Sequence, residues 1–213
     1  MARVYDPKAP KFDSSLPIKE RAARYAKYIR ESPDYKVCTT SPESFSTSVR
    51  TSSNPNPTGQ HFDASVLRQC ELLDAKARDP KVLWKEEPLA WTAWKVYIPV
   101  ELTNAGYALH GGAVATLFDM LTSATISCVD NIEGSGWEVN NVSRTLNCTY
   151  LKPIMEGEYT RVECEVTALG KRNGMTRGVM RKWNKDREDG AGGEVCYTCE
   201  HGKVNTGIQS SKL

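Results

Sequence analysis

No stretch of these 213 residues is apolar for the length a bilayer span requires. The opening run, MARVYDPKAPKFDSS, lacks the apolar centre of a secretory leader. Neither sign of charge dominates. Lys and Arg number 28 against 26 Asp and Glu, a formal net charge of +2, so no nucleic-acid or membrane surface is expected. A disulfide framework is missing too: the seven cysteines are odd in number and scattered from Cys38 to Cys199, which suits a reducing interior. Without a leader, the Asn141-Val142-Ser143 and Asn147-Cys148-Thr149 sequons are expected to stay unmodified. Metal-ligand spacing is absent. Cys196 and Cys199 form a lone CxxC inside a strand-like run, where residues three apart point to opposite faces, and no second pair accompanies them. They read as packing residues, and no metal or cofactor is expected. His61, His201 and the five tryptophans have no partner pattern and read as structural.

What the sequence does contain is unevenly distributed. Residues 1 to 17 are mostly polar, with three prolines, and predict disorder. The spacing of Ala22, Tyr25, Tyr28 and Ile29 predicts a short amphipathic helix over 18–32. A Ser-, Thr-, Pro- and Asn-rich linker follows at 39–60. Val66, Leu67, Cys70 and Leu73 then recur at helical spacing and predict a second helix over 62–77. From Trp91 onward the texture changes. Apolar and polar residues alternate over 94–102, 142–151, 159–169, 175–183 and 193–204, which predicts five strands, with Gly-rich hairpin connections at 170–174 and 184–193. One long helix, about 112–128, separates the first strand from the other four. Strands without βαβ alternation predict an α+β fold, an antiparallel sheet with one central helix.

That helix poses a chemical question. Ala113, Val114, Leu117, Phe118, Leu121, Ala124 and Ile126 cover most of its circumference, and small hydroxyl residues fill much of the rest. A helix apolar nearly all round is buried. Asp119 nevertheless sits in its middle, where an unpartnered carboxylate is strongly unfavourable. Asp119 must be paired, protonated, or turned toward a polar pocket. At the helix start Gly111 and Gly112 expose backbone N–H groups at the positive end of the dipole, a place for an anion or for close packing. Gly111 and Asp119 lie eight residues apart, about 12 Å along a helix. One carbonyl group cannot touch both. If both act on one bond, the carboxylate comes from a second copy of the chain.

The stretch NAGYALHGG, with Asp119 eight residues after Gly111, resembles the hotdog-fold acyl-CoA thioesterases of the phenylacetic-acid-degradation and acyl-CoA thioesterase 13 type. Members of that family show an Asn, then His-Gly-Gly, then an acid in the central helix, then a Ser ahead of a TY-x-x-P strand. Those features fall here on Asn104, His110-Gly111-Gly112, Asp119 and Ser143, followed by CTYLKP at 148–153, and the resemblance covers about 85–206. It implies a sheet wrapped around the helix, a homodimer or dimer of dimers with sites between subunits, and hydrolysis of an acyl-CoA. It also implies the roles. The Gly111 N–H and the Asn104 amide polarise the thioester carbonyl, Asp119 of the partner acts as general base or nucleophile, Ser143 positions water, and His110 orients the turn. Gly112 adjoins the substrate, and Lys171, Arg172 and Arg177 are candidates for the CoA phosphates. The competing readings are a hotdog hydratase or dehydratase, which usually pairs its Asp with a His, and a non-catalytic acyl-CoA-binding module. The resemblance leaves residues 1–84 unexplained as an N-terminal extension. The tail 207–213 ends in Ser211-Lys212-Leu213, a peroxisomal address read by an import receptor, and predicts location in the peroxisomal matrix, or in the cytoplasm if the signal is unused.

Overall fold

The computed structural model describes residues 16–20, 66–78, 87–129, 135–137 and 141–206. Within them, six strands and one long helix follow each other as β1 (Cys70–Ala77), β2 (Ala90–Tyr97), α1 (Gly111–Ile126), β3 (Asn141–Tyr150), β4 (Tyr159–Leu169), β5 (Asn173–Lys182) and β6 (Val195–Asn205). They build one antiparallel sheet in the order β1-β2-β4-β5-β6-β3. The helix lies across one face of this sheet, the α+β hotdog arrangement.

The period-2 pattern decides which face the helix covers. Thr92, Trp94 and Val96 of β2, Val162, Cys164 and Val166 of β4, and Thr176 and Met180 of β5 all turn inward and are buried. Against them α1 buries Val114, Leu117, Phe118, Leu121, Thr122, Ala124, Thr125 and Ile126. Two features hold the helix close. Gly178 leaves room for the Phe118 ring, which a Cβ there would meet at 2.5 Å. The Thr125 and Thr92 hydroxyls bond across the contact at 2.7 Å, and Trp94 Nε1 donates to Thr92 Oγ1. Threonines on the inner face thus join helix and sheet without leaving a buried hydroxyl unpaired.

Two expectations need correction. Residues 62–77 do not form one helix. Residues 66–67 are helical and are followed by β1, whose seven register pairs with β2 run from Cys70↔Val96 to Ala77↔Ala90. Good helix formers in LRQCELLDAKA are overridden because the free edge of β2 offers a ladder of backbone bonds, a tertiary gain larger than local propensity. The sheet therefore begins ahead of position 85. The strand expected over 94–102 lies at 90–97 instead. Pro99, which has no N–H to give a ladder, turns the chain into a 3₁₀ turn at Val100–Leu102. The expected helix over 18–32 is described only at 18–20, which are helical. The linker at 39–60 and the terminal Ser211-Lys212-Leu213 lie outside the described residues.

Candidate active site

The segment 104–112 is shaped by its own polar groups. Asn104 Oδ1 accepts the Gly106 and Ala108 N–H groups, closing a turn in which Tyr107 takes a left-handed φ of 59°. With its oxygen so engaged, the exposed Asn104 keeps its amide nitrogen without an acceptor among the described residues. His110 is the N-cap of α1, and its Nδ1 accepts the Gly112 N–H at 2.9 Å. A Cβ on Gly112 would come within 3.1 Å of that nitrogen, so the second glycine admits the imidazole cap. Among the described residues, the Gly111 and Ala113 N–H groups are left without an acceptor at the helix start, ahead of the Val114 N–H bond to His110 O. Tyr150, at the end of β3, gives its hydroxyl to Gly111 O at 3.0 Å and lays its ring on the glycine. An open cavity of about 810 Å³ adjoins this end of α1, lined by Val66, Gln69, Leu102, His110, Gly112 and Thr116 among others. Asn104 and Gly111 do not line the cavity themselves but adjoin residues that do, Thr103 on one side and His110 and Gly112 on the other.

Asp119 belongs to a second cluster, two turns further along. Its side chain is 44% exposed. The Ser143 hydroxyl donates to Oδ1 at 2.5 Å. His201 Nε2 approaches the same oxygen at 3.3 Å and Lys203 Nζ at 4.0 Å. Lys203 also donates to Ser123 Oγ at 2.8 Å and to Ser143 Oγ at 3.2 Å. Three elements make this meeting possible. Asp119 and Ser123 are one helical turn apart on α1, while Ser143 and Lys203 are register partners on β3 and β6. The opening question about Asp119 has its answer here: the carboxylate is paired and half open, on the polar stripe where α1 crosses β6.

His201 was not legible as a site residue, since nothing in its neighbourhood in sequence marks it. It is fully buried, and its Nδ1 lies 2.7 Å from Thr122 Oγ1. The Thr122 hydroxyl donates to Phe118 O, which leaves its oxygen open to a proton on Nδ1; in that tautomer Nε2 is an acceptor. Nε2 has no hydrogen bond, and its approach to Asp119 Oδ1 is a contact between two acceptors rather than a bond. Burial, reinforced by the Lys203 charge and opposed by Asp119, holds the imidazole pKa down at about 4. His201 is neutral at pH 7. Lys203, likewise unmarked in the sequence, has a side chain only 4% exposed.

The cations expected to meet a polyphosphate divide. Lys171 and Arg172 are exposed in the turn between β4 and β5. The strand row that starts at Ser143 runs through Lys203 to Gly174, beside that turn. Arg177 instead pairs with Glu165 at 2.7 Å on the sheet face away from the helix.

The two clusters do not meet within the chain. Gly111 and Asp119 stand about 12 Å apart along α1, and neither Asp119 nor Ser143 lines the cavity. Besides α1 itself, β3 connects them, carrying Ser143 near one end and Tyr150 at the other. β3 is an outer strand of the sheet and is exposed along most of its length.

The sequence profile described as thioesterase superfamily matches residues 107–186, a span that includes Gly111, Asp119 and Ser143 but not Asn104. The fold is similar to zebrafish thioesterase superfamily member 2, at 24% identity over 67% of this chain and 85% of that one, with a TM-score of 0.51. It is also similar to a hypothetical thioesterase from Streptococcus pneumoniae TIGR4 whose structure contains coenzyme A, at 16% identity over 70% and 96% of the two chains, with a TM-score of 0.51. No curated protein sequence matches this one.

Proposed function

We propose that this chain, whose residues 107–186 match the thioesterase superfamily model, hydrolyses an acyl-CoA thioester to CoA and a free acid, in sites shared between two copies of the chain. The observation that carries this reading is the separation of two complementary half-sites on one helix. One offers an N–H and an amide to a carbonyl oxygen; the other offers a carboxylate already bonded to a serine hydroxyl. β3 supplies the means of joining them. A long exposed edge strand is a template for pairing with another chain. If two β3 edges pair antiparallel about a centre between Ser143 and Tyr150, Ser143 of one copy falls near the partner's Tyr150, and Asp119 near the partner's Gly111.

In that assembly the thioester oxygen accepts the Gly111 N–H and the Asn104 amide, and the acyl group enters the cavity beside His110 and Gly112. Asp119 then draws a proton from water held by Ser143, or attacks the carbonyl carbon itself. Water adds to the carbonyl, the C–S bond breaks, and the CoA thiolate leaves and takes up a proton. Lys171 and Arg172 sit beside the strand row that leads from Ser143, which suits contact with the CoA phosphates; the Arg177–Glu165 pair makes Arg177 the weaker candidate. His110 caps the helix with Nδ1, which suits it to holding the Gly111–Gly112 turn rather than transferring protons.

His201 beside Asp119 gives the hydratase reading one observation in its favour. The imidazole is fully buried behind the carboxylate, however, and cannot reach a substrate as a second acid or base. The test is to incubate the protein with a panel of acyl-CoAs and measure free thiol. Thiol release supports the hydrolase; hydration of an enoyl-CoA without thiol release overturns it. We further propose that Ser211-Lys212-Leu213 directs the protein to peroxisomes. Deleting Leu213 should disperse a tagged chain into the cytosol with unchanged activity in vitro, and unchanged peroxisomal signal would refute the assignment.

A further inference from the structure

Three side chains converge on one oxygen of Asp119 and none on the other. Oδ1 holds the Ser143 hydroxyl, the His201 contact and the Lys203 ion pair, while no described residue bonds Oδ2. Direction in this network comes from Lys203. A serine hydroxyl has one proton and can turn it toward whichever neighbour accepts. An ammonium only donates. With Lys203 Nζ against both Ser143 Oγ and Ser123 Oγ, each oxygen must accept, and each hydroxyl proton must point elsewhere. Both point to Asp119: Ser143 to Oδ1, and Ser123 to the main-chain oxygen at 2.5 Å. Two chains of donation thus begin at one buried cation and end on one residue. His201 cannot substitute, because its Nδ1 proton goes to Thr122 and its Nε2 has none to give.

Resting on the thioesterase reading above, we infer that Lys203 is a positioning residue, which turns the Ser123 and Ser143 hydroxyls onto Asp119, occupies Oδ1 and reserves Oδ2 for the reacting water or carbonyl carbon. Without it the Ser143 proton is free to turn toward solvent, and the carboxylate loses its fixed orientation. Lys203 itself never touches substrate.

The test is a double-mutant cycle of Lys203→Met and Ser143→Ala in the full chain. Met keeps the stem and removes the donors. Loss of orientation should lower kcat by about a hundredfold with KM little changed. The double variant should be scarcely worse than either single one, because both cut the same chain of donation. Additive losses, or near-normal turnover of Lys203→Met, would overturn the inference. A crystal structure of Lys203→Met gives a readout that needs no turnover: Ser143 Oγ should leave Asp119 Oδ1, and an unchanged bond refutes the role. If the wild-type chain releases no thiol from any acyl-CoA, the thioesterase reading fails while this structural readout still decides the role of Lys203. Should Lys203→Met not fold, Lys203→Gln keeps a polar head but offers an acceptor to which Ser143 can turn. It should show the same displaced hydroxyl, and a retained Ser143–Asp119 bond would again refute the role.

Discussion

The two ends of the functional stretch of α1 are built in opposite ways. At its start, Asn104, His110, Gly111 and Gly112 lie within nine consecutive residues, are held mainly by bonds within residues 102–112, and stand exposed or, for Gly111, half-buried. Two turns on, Asp119 is surrounded by residues from three elements, among them His201 and Lys203, which are more than 80 positions away in sequence and buried. The first end presents backbone donors whose direction is set by the helix itself. The second presents a side chain whose direction must be imposed by neighbours. A main-chain N–H needs only a glycine turn and a cap to be aimed, whereas a carboxylate on a flexible side chain needs a surrounding network.

The comparison is broken most severely by Asp119→Asn. It removes the base or nucleophile and should lower thioester hydrolysis by at least roughly 10²–10⁴-fold, the range for a positioned general base, while circular dichroism stays that of the folded protein. Asn104→Ala attacks the other end and should cost about 2.7–4 kcal/mol of transition-state stabilisation, mainly in kcat. Mixing these two variants under subunit exchange sharpens the contrast. If each site takes its donors from one chain and its carboxylate from the other, heterodimers contain one doubly lesioned site and one intact site. Activity then returns, up to half of wild type per heterodimer. No recovery would mean that both ends act within one chain.

A smaller effect concerns the buried network alone. Burial holds the His201 pKa down to about 4 from the ordinary imidazole value of 6.5, so between these values the unfolded chain binds a proton that the folded chain does not. Stability therefore rises with pH across that window and is lost as pH falls through it, by up to about 3 kcal/mol. His201→Gln should flatten this part of a stability–pH curve measured by urea denaturation; an unaltered slope would mean that His201 is not the group responsible. The smallest effect belongs to the exposed cap. His110→Ala should cost about 1 kcal/mol of stability, with less loss of turnover than either Asn104→Ala or Asp119→Asn.

How much could be read in advance follows the same division. The strands over 141–205 and the helix declare themselves through periods of two and of 3.6, and the hairpin turns through glycine and polar clusters, because each is a local property. The segment 62–77 misleads, because its residues favour a helix while the edge of β2, set by distant pairing, selects a strand. Asp119 draws attention as a charge in an apolar run, and Ser143 only through the family resemblance, as the Ser ahead of CTYLKP. His201 carries no such mark. Its importance depends on β6 crossing α1 beside Thr122 and the half-open Asp119, a coincidence that no local pattern encodes.

The amino-acid order by itself determined the elements after position 110, the glycine pair at the helix start and the need of Asp119 for a partner, since steric preference, periodicity and the cost of an unpaired buried charge act over a few residues. Only the tertiary structure decided which partners Asp119 has, which of its oxygens they occupy, and that β1 joins the sheet. Those outcomes turn on register between strands far apart in the chain, where a shift of one residue would send Lys203 and His201 to the other face of the sheet.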